Sequence, residues 1–172
     1  MVWHSHERSA SYELQRTYLV HQRLQALFGL STVPTAGALV RAVAEEGYGV
    51  ATGSRLAGKS KVKRSLKRTT LSVGYNAIIK AAFWTRFSDA QCGFKAISRE
   101  AAERLLPLIQ DNNWFFDTEL LILAEKSGYR IKDIPVRWVE DPGTTVKIGA
   151  TVTEDLRGLW RMRLQRPWRR VK

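Results

Sequence analysis

A chain of 172 residues, 44% hydrophobic and 26% charged, is long enough to bury one core, and its composition excludes a disordered polyelectrolyte. Its 28 Lys and Arg against 16 Asp and Glu leave a net charge of +12, which predicts an anionic partner: a phosphorylated ligand, a membrane surface or nucleic acid. Cys92 is the only cysteine, so no intrachain disulfide can form; with no apolar run approaching the roughly 20 residues of a membrane span and no signal-like N-terminus, the expectation is a soluble or peripheral protein in a reducing compartment.

Residues 1–26 are polar and basic, and the spacing of Leu14 and Tyr18 predicts one amphipathic helix. Ser31-Thr32-Val33-Pro34 starts a second helix, which carries Leu39, Val40 and Val43 and closes at Glu46-Gly47. Tyr48 to Ser54 reads as a strand running into a turn that Gly53 permits, and residues 57–65 as a Gly/Lys/Ser loop. A helix fits from Leu66 to about Phe87. Leu71, Tyr75, Ile78, Ile79 and Ala82 make one apolar stripe on it, while Arg64, Arg68, Ser72, Asn76 and Lys80 recur every four residues on another face. A turn over 89–95 leads into a short strand, and helices follow at about 99–108 and 117–127. Tyr129 to Val139 alternates as a strand, Glu140-Asp141-Pro142-Gly143 breaks it, and a last helix runs from Thr151. Strands alternating with helices predict an α/β layered domain.

Five segments carry more than pattern. They are Val50-Ala-Thr-Gly-Ser-Arg55, Lys67-Arg-Thr-Thr-Leu-Ser-Val-Gly-Tyr-Asn76, Asp89-Ala-Gln-Cys-Gly-Phe-Lys95, Trp114-Phe-Phe-Asp-Thr-Glu-Leu-Leu121 and Ile134-Pro-Val-Arg-Trp138. In this order they resemble the inverting family 2 glycosyltransferases that charge dolichyl or other polyprenyl phosphates with one hexose. The third and fourth are most similar to dolichyl-phosphate glucosyltransferases, with bacterial dolichyl-phosphate mannosyltransferase-like proteins close behind. The resemblance covers about residues 30–165. It implies the C-terminal part of a GT-A domain (Rossmann-like, the nucleotide-diphospho-sugar transferase fold) over 27–150, between a divergent segment 1–26 and a basic amphipathic helix 151–172. The activity it implies is transfer of a hexose from UDP-glucose or GDP-mannose to polyprenyl phosphate at the cytoplasmic, inner face of the membrane.

An acceptor phosphate suits arginine, whose planar fork binds two phosphate oxygens and keeps its charge. Arg55 and Arg137 fall near strand ends, where open α/β sheets hold ligands, and Arg68 and Ser72 lie one turn apart on a helix. With the resemblance, these four are the expected phosphate-binding set, supported by Ser54, Asn76, Lys95 and Glu119; a solvated basic face is the competing reading. Asp89 and Gln91 are the candidates at the reaction centre. A phosphate acceptor is already ionised, so Asp89 would orient groups or stabilise developing positive charge rather than act as a base; capping the turn before Gly93 is the alternative. Glu119 is placed to hold Arg55 or Arg68, or to make a surface ion pair, and Asp117 to cap the following helix. Cys92 reads as a small buried residue. His4 and His6 lack a carboxylate or cysteine partner for a metal.

Complete members of the resembling family carry Asp-x-Asp before a Leu-Ser-Thr-like segment, and that pair holds Mg²⁺ or Mn²⁺ against the donor diphosphate. Here Leu27-Phe28-Gly29 precedes Leu30-Ser31-Thr32, no carboxylate lies between Glu13 and Glu45, and Thr144-Thr145-Val146 stands where the family often has Ser-Arg-Val. The expectation is an acceptor-side part without its own metal, inactive alone, that meets a sugar nucleotide only if a donor half is supplied. A non-catalytic pseudoenzyme that binds polyprenyl phosphate or a partner is the alternative. No nucleic-acid motif is present, so no nucleic-acid partner is expected. The segment 151–172 carries a local charge of +5, with Leu156, Leu159, Trp160, Arg163 and Leu164 at helical spacing. Trp160, Arg161 and Trp168 are its expected contacts with an anionic membrane surface, against a helix that packs on the domain and then frays.

Overall fold

The computed structural model describes residues 33–63, 65–139 and 148–171. The expectations for the 1–26 helix, His4, His6, Leu27 to Thr32, Arg64 and residues 140–146 lie outside them. Strand β1 (Val50–Ser54) is buried along its whole length, as a central strand must be. It pairs parallel with β4 (Ile131–Pro135) and antiparallel with β3 (Lys95–Ile97), in the order β3-β1-β4. The pleat sends successive side chains to opposite faces. Val50 joins a core with Ile79, Phe83, Phe115, Leu121 and Leu159, while Ala51 joins a smaller one with Leu39, Ala42 and Ile134. Helix α1 (Val33–Ala44) covers the second face. The first is covered by α2 (Leu66–Phe83), α4 (Phe116–Lys126) and α5 (Ile148–Gln165). This mixed helix-and-sheet architecture is consistent with the α/β class.

Helix α4 is buried from Thr118 through Ala124, which explains its unbroken Leu-Leu-Ile-Leu-Ala run. Helix α3 (Arg99–Leu105) starts at Ser98, whose hydroxyl accepts from the Ala101 amide at 3.2 Å. A 3₁₀ turn, Leu106–Leu108, continues it.

Four expectations are corrected. The 57–65 loop contains a strand, β2 (Lys61–Lys63), paired parallel with β5 (Arg137–Val139) in a separate two-stranded sheet. Ser60 organises this pairing by donating to the Ser54 carbonyl and accepting from the Val136 amide. The single strand expected over 129–139 is therefore two, divided at Val136 and shared between two sheets. Helix α2 stops at Phe83 because Trp84 adopts a left-handed conformation, φ 56°, with its amide closing on Lys80. Gly53 has no positive φ: it lies inside β1, where a Cβ would come within 2.8 Å of Val136 and 3.0 Å of the Cys92 sulfur. It serves close packing rather than a turn.

The apolar stripe expected on α2 is buried in part. Ile79 lies in the core and Tyr75 and Ala82 pack against it, while Leu71 and Ile78 are exposed. Ser72 and Asn76, expected on another face, are buried beside Ile79 and Phe83. The Asn76 amide donates to the Ser72 carbonyl at 2.8 Å and its oxygen accepts from the Ala90 amide at 2.9 Å. Helix α5 begins at Ile148, three residues before the expected Thr151, and lies against α4 at Gly158.

Candidate functional site at the carboxyl end of β1

Because β1 and β4 are parallel, their carboxyl ends finish together at Ser54 and Pro135, and Arg55 follows at once. Asp89 meets it there. Its Oδ2 accepts from the Arg55 amide at 3.0 Å and from Nε at 2.7 Å, and its Oδ1 accepts from Nη2 at 2.8 Å. The guanidinium carbon lies 5.5 Å from the centre of the Trp138 ring, so one face of the fork is covered by an aromatic plate. A guanidinium has five N–H donors, and Asp89 engages two, leaving Nη1 and one Nη2 proton for another acceptor.

The pair is electrostatically committed. Burial would raise the Asp89 pKa, yet the hydrogen bonds and charge of Arg55 hold it below the usual carboxylate range. Burial likewise opposes the Arg55 charge, and Asp89 outweighs it, raising that pKa above its ordinary value. Asp89 is thus a fixed anion that orients Arg55, not a group poised to take a proton.

The loop carrying Asp89 is pinned from four elements. Ser88 shares a 2.6 Å hydroxyl contact with Ser54 of β1, and its amide donates to Asp133 of β4 at 2.8 Å. Ala90 is held by Asn76 of α2, and the Gln91 amide group donates to Asp155 of α5 at 3.0 Å. Asp155 is 3% exposed, and burial, with the charges of Asp111 and Glu154, pushes its pKa up to about 6. Sequence reasoning missed Ser88, Asp133, Trp138 and Asp155 as parts of this centre. Asp155 had one legible signal, a carboxylate at helical spacing from Leu159 and Met162.

The other expected residues divide. Arg68 stands in the first turn of α2, where its amide donates to the Ser65 cap at 3.4 Å, and Ser72 is buried on the inward face. Arg137 is exposed on β5 opposite Lys61; the pleat places it on the face away from Trp138, and so away from Arg55. Lys95 pairs with Asp117 at 2.9 Å and donates to the Cys92 carbonyl. Asp117 therefore makes an ion pair rather than an N-cap; the cap position is Phe115, without a side-chain bond. Glu119 holds neither Arg55 nor Arg68. It is buried, accepts from Arg161 at 2.7 Å and from the Asp111 amide at 3.0 Å. Arg161 is thereby tied to the protein body, and Trp168 packs edge-on against Phe83 at 6.0 Å. Of the three residues expected at a membrane surface, only Trp160 is fully open, at 68% exposure. Cys92 is buried, and burial pushes its thiol up, so it is no nucleophile.

Among the described residues no three His, Cys, Asp or Glu side chains converge.

No protein-family model matches the chain. Curated relatives do. Glycosyltransferase AglD of Haloferax volcanii is 40% identical over 110 residues, 64% of this chain and 18% of that protein. A dolichyl-phosphate beta-glucosyltransferase of Trichomonas vaginalis is 35% identical over 105 residues, 60% of this chain and 31% of its own length. The dolichyl-phosphate beta-glucosyltransferase of Saccharomyces cerevisiae is 33% identical over 102 residues, 58% and 30% of the two chains. The chain therefore spans between about a fifth and a third of the length of these relatives.

Proposed function

From this kinship with dolichyl-phosphate glycosyltransferases, we propose that the chain forms the acceptor side of a GT-A-type polyprenyl-phosphate hexosyltransferase. The observation that carries the reading is the Arg55–Asp89 clasp at the carboxyl end of β1. A buried carboxylate aims a guanidinium whose remaining N–H groups suit a phosphate monoester. In the reaction, an ionised oxygen of polyprenyl phosphate attacks the anomeric carbon of a hexose carried by UDP or GDP. The new carbon–oxygen bond forms as the bond to the nucleoside diphosphate breaks, with inversion at that carbon. Arg55 fixes the attacking phosphate, Asp89 fixes Arg55, and Gln91 borders the reaction centre on its Asp155 tether. A lipid acceptor places the work at a membrane face, and we assign the cytoplasmic one.

The Leu27-Phe28-Gly29 sequence favours a narrower role for the chain by itself: binding polyprenyl phosphate without transferring sugar. The purified chain, given labelled UDP-glucose or GDP-mannose, polyprenyl phosphate and Mg²⁺ or Mn²⁺, should form no glycolipid above a mock preparation. It should still bind a short, water-soluble prenyl phosphate, read from tryptophan fluorescence because Trp138 adjoins Arg55. Arg55→Ala should weaken that binding about tenfold, roughly 1.4 kcal/mol. Metal-dependent turnover would refute the inactive reading. Undiminished binding by a folded Arg55→Ala variant would refute the site.

A further inference from the structure

Asp155 of α5 holds the Gln91 side chain at a cost to the fold. One of its oxygens accepts from Gln91 Nε2 at 3.0 Å; the other is buried and, among the described residues, meets no donor. Burial, then the like charges of Asp111 and Glu154, push its pKa up to about 6. The hydroxyl of Tyr75 on α2, which donates to Thr118 at 3.2 Å, lies beside it and acts in the opposite sense. Above pH 6 the group ionises against its surroundings, so it weakens the fold rather than securing it. An acid kept where it opposes stability is explained by what it holds.

What it holds is a direction. An ionised carboxylate only accepts hydrogen bonds, so the NH2 end of the Gln91 amide must point to Asp155. A primary amide is planar, with its oxygen and nitrogen turned apart, so Oε1 points away from Asp155. Among the described residues no donor meets that oxygen, and it is not buried. Gln91 also starts at the clasp. The Asp89 Oδ1 that accepts from Arg55 Nη2 accepts from the Gln91 amide as well, at 3.2 Å. A ligand on the remaining N–H groups of Arg55 therefore has Gln91 as its neighbour.

Chemistry chooses the ligand group. An amide oxygen repels the oxygens of an ionised phosphate and takes a proton donor instead. In the acceptor reading, on which this inference rests, ionised polyprenyl phosphate brings no donor, whereas the hexose brings its hydroxyls. We propose that Asp155 is a positioning residue that turns the Gln91 amide so that its oxygen accepts a hydrogen bond from a hydroxyl of the transferred hexose. Arg55 then holds the phosphate, and Gln91 the sugar that joins it.

The test compares three short, water-soluble prenyl phosphodiesters, methyl, glucosyl and mannosyl, binding to the full chain at pH 8 by titration calorimetry. All carry the same charge, so only the sugar separates them. The parent should bind a glycosyl ester about fivefold tighter than the methyl ester, the size of one net hydrogen bond. Gln91→Met keeps the length of the side chain without its oxygen, and should bring the ratio to about one. Asp155→Leu leaves Gln91 in place but frees its amide to turn, so the ratio should fall likewise. The double variant should lose no more than either single one, because Asp155 acts through Gln91. Should Asp155→Leu fail to fold, Asp155→Asn replaces it, since asparagine can offer its oxygen or its NH2 group and no longer dictates the direction. A sugar preference that survives in folded Gln91→Met or in the Asp155 variant overturns the inference, as does an Asp155 variant that weakens all three esters alike. A parent that binds the three esters equally overturns it and leaves the acceptor reading standing. A parent that binds none of them overturns both.

Discussion

Asp89 accepts three hydrogen bonds from one residue, Arg55, through its amide, Nε and Nη2, at 3.0, 2.7 and 2.8 Å. Removing one partner of such a pair strands the other in a poorly solvated place. Asp89→Asn, close in shape but uncharged, should lower stability by about 3 kcal/mol, seen as a lower urea midpoint at unchanged slope. The pH dependence has a definite sign. The folded-state pKa of Asp89 is depressed, so its stabilisation is complete above the ordinary carboxylate range and disappears as pH falls through the folded value. The gap between parent and variant should stay constant from neutral pH down to about 4 and close only in stronger acid. A gap already closing at pH 6 would contradict the depressed value.

Asp155 behaves in the opposite sense. Its folded-state pKa is raised to about 6, chiefly by burial, so the folded protein holds that proton more tightly than the unfolded chain. Its contribution to stability is complete below the unfolded value near 4 and is lost as pH rises through about 6. Asp155→Asn keeps an acceptor for Gln91 and removes the charge. The variant should gain on the order of 2 kcal/mol over the parent at pH 8 and little at pH 4, measured by urea unfolding at both. Equal differences at the two pH values would show that Asp155 does not titrate in this window.

Gly158 gives the packing prediction. A Cβ there would stand 2.5 Å from two ring carbons of Phe115, which is buried and unable to retreat. Alanine favours a helix by up to about 1 kcal/mol over glycine, while overpacking costs about 1–3 kcal/mol. The clash should win, so Gly158→Ala should lower the melting temperature. Phe115→Leu in the same chain should restore part of the loss relative to the sum of the single changes.

Acceptor recognition separates the arginines. In a protein that joins this chain to a donor-binding half, Arg55→Ala or Arg68→Ala should cut transfer at least tenfold, about 1.4 kcal/mol in the transition state. Lysine should rescue Arg55 poorly, because an ammonium cannot keep both bonds to Asp89 and still reach a phosphate. Arg137, on the far face of its ribbon, should matter less than either. Steady-state rates of the three alanine variants decide the order, and a dominant Arg137 would move the phosphate site away from β1.

Much of the local structure was legible. The strand running to Ser54, the long helix from Leu66 and the helices near residues 99 and 117 follow from side chains within four residues of one another, the range over which propensity acts. So was the likeness to polyprenyl-phosphate glycosyltransferases, since Arg55 and Asp89 sit in short contiguous motifs. Partners were not legible. Gln91 finds Asp155 across 64 residues, and Glu119 finds Arg161 across 42 rather than Arg55 or Arg68. Nor was the division of residues 131–139 between two sheets, because the strands they join, β1 and β2, are remote in sequence. The orientation of α2 shows the physical reason most plainly. Its sequence marks an apolar stripe, of which Tyr75, Ile79 and Ala82 meet the core and Leu71 and Ile78 do not, and the side turned inward also brings the Asn76 oxygen to the Ala90 amide. A buried backbone amide without an acceptor costs about 1–3 kcal/mol. Only the tertiary structure puts that cost on the same helix as Leu71 and Ile78.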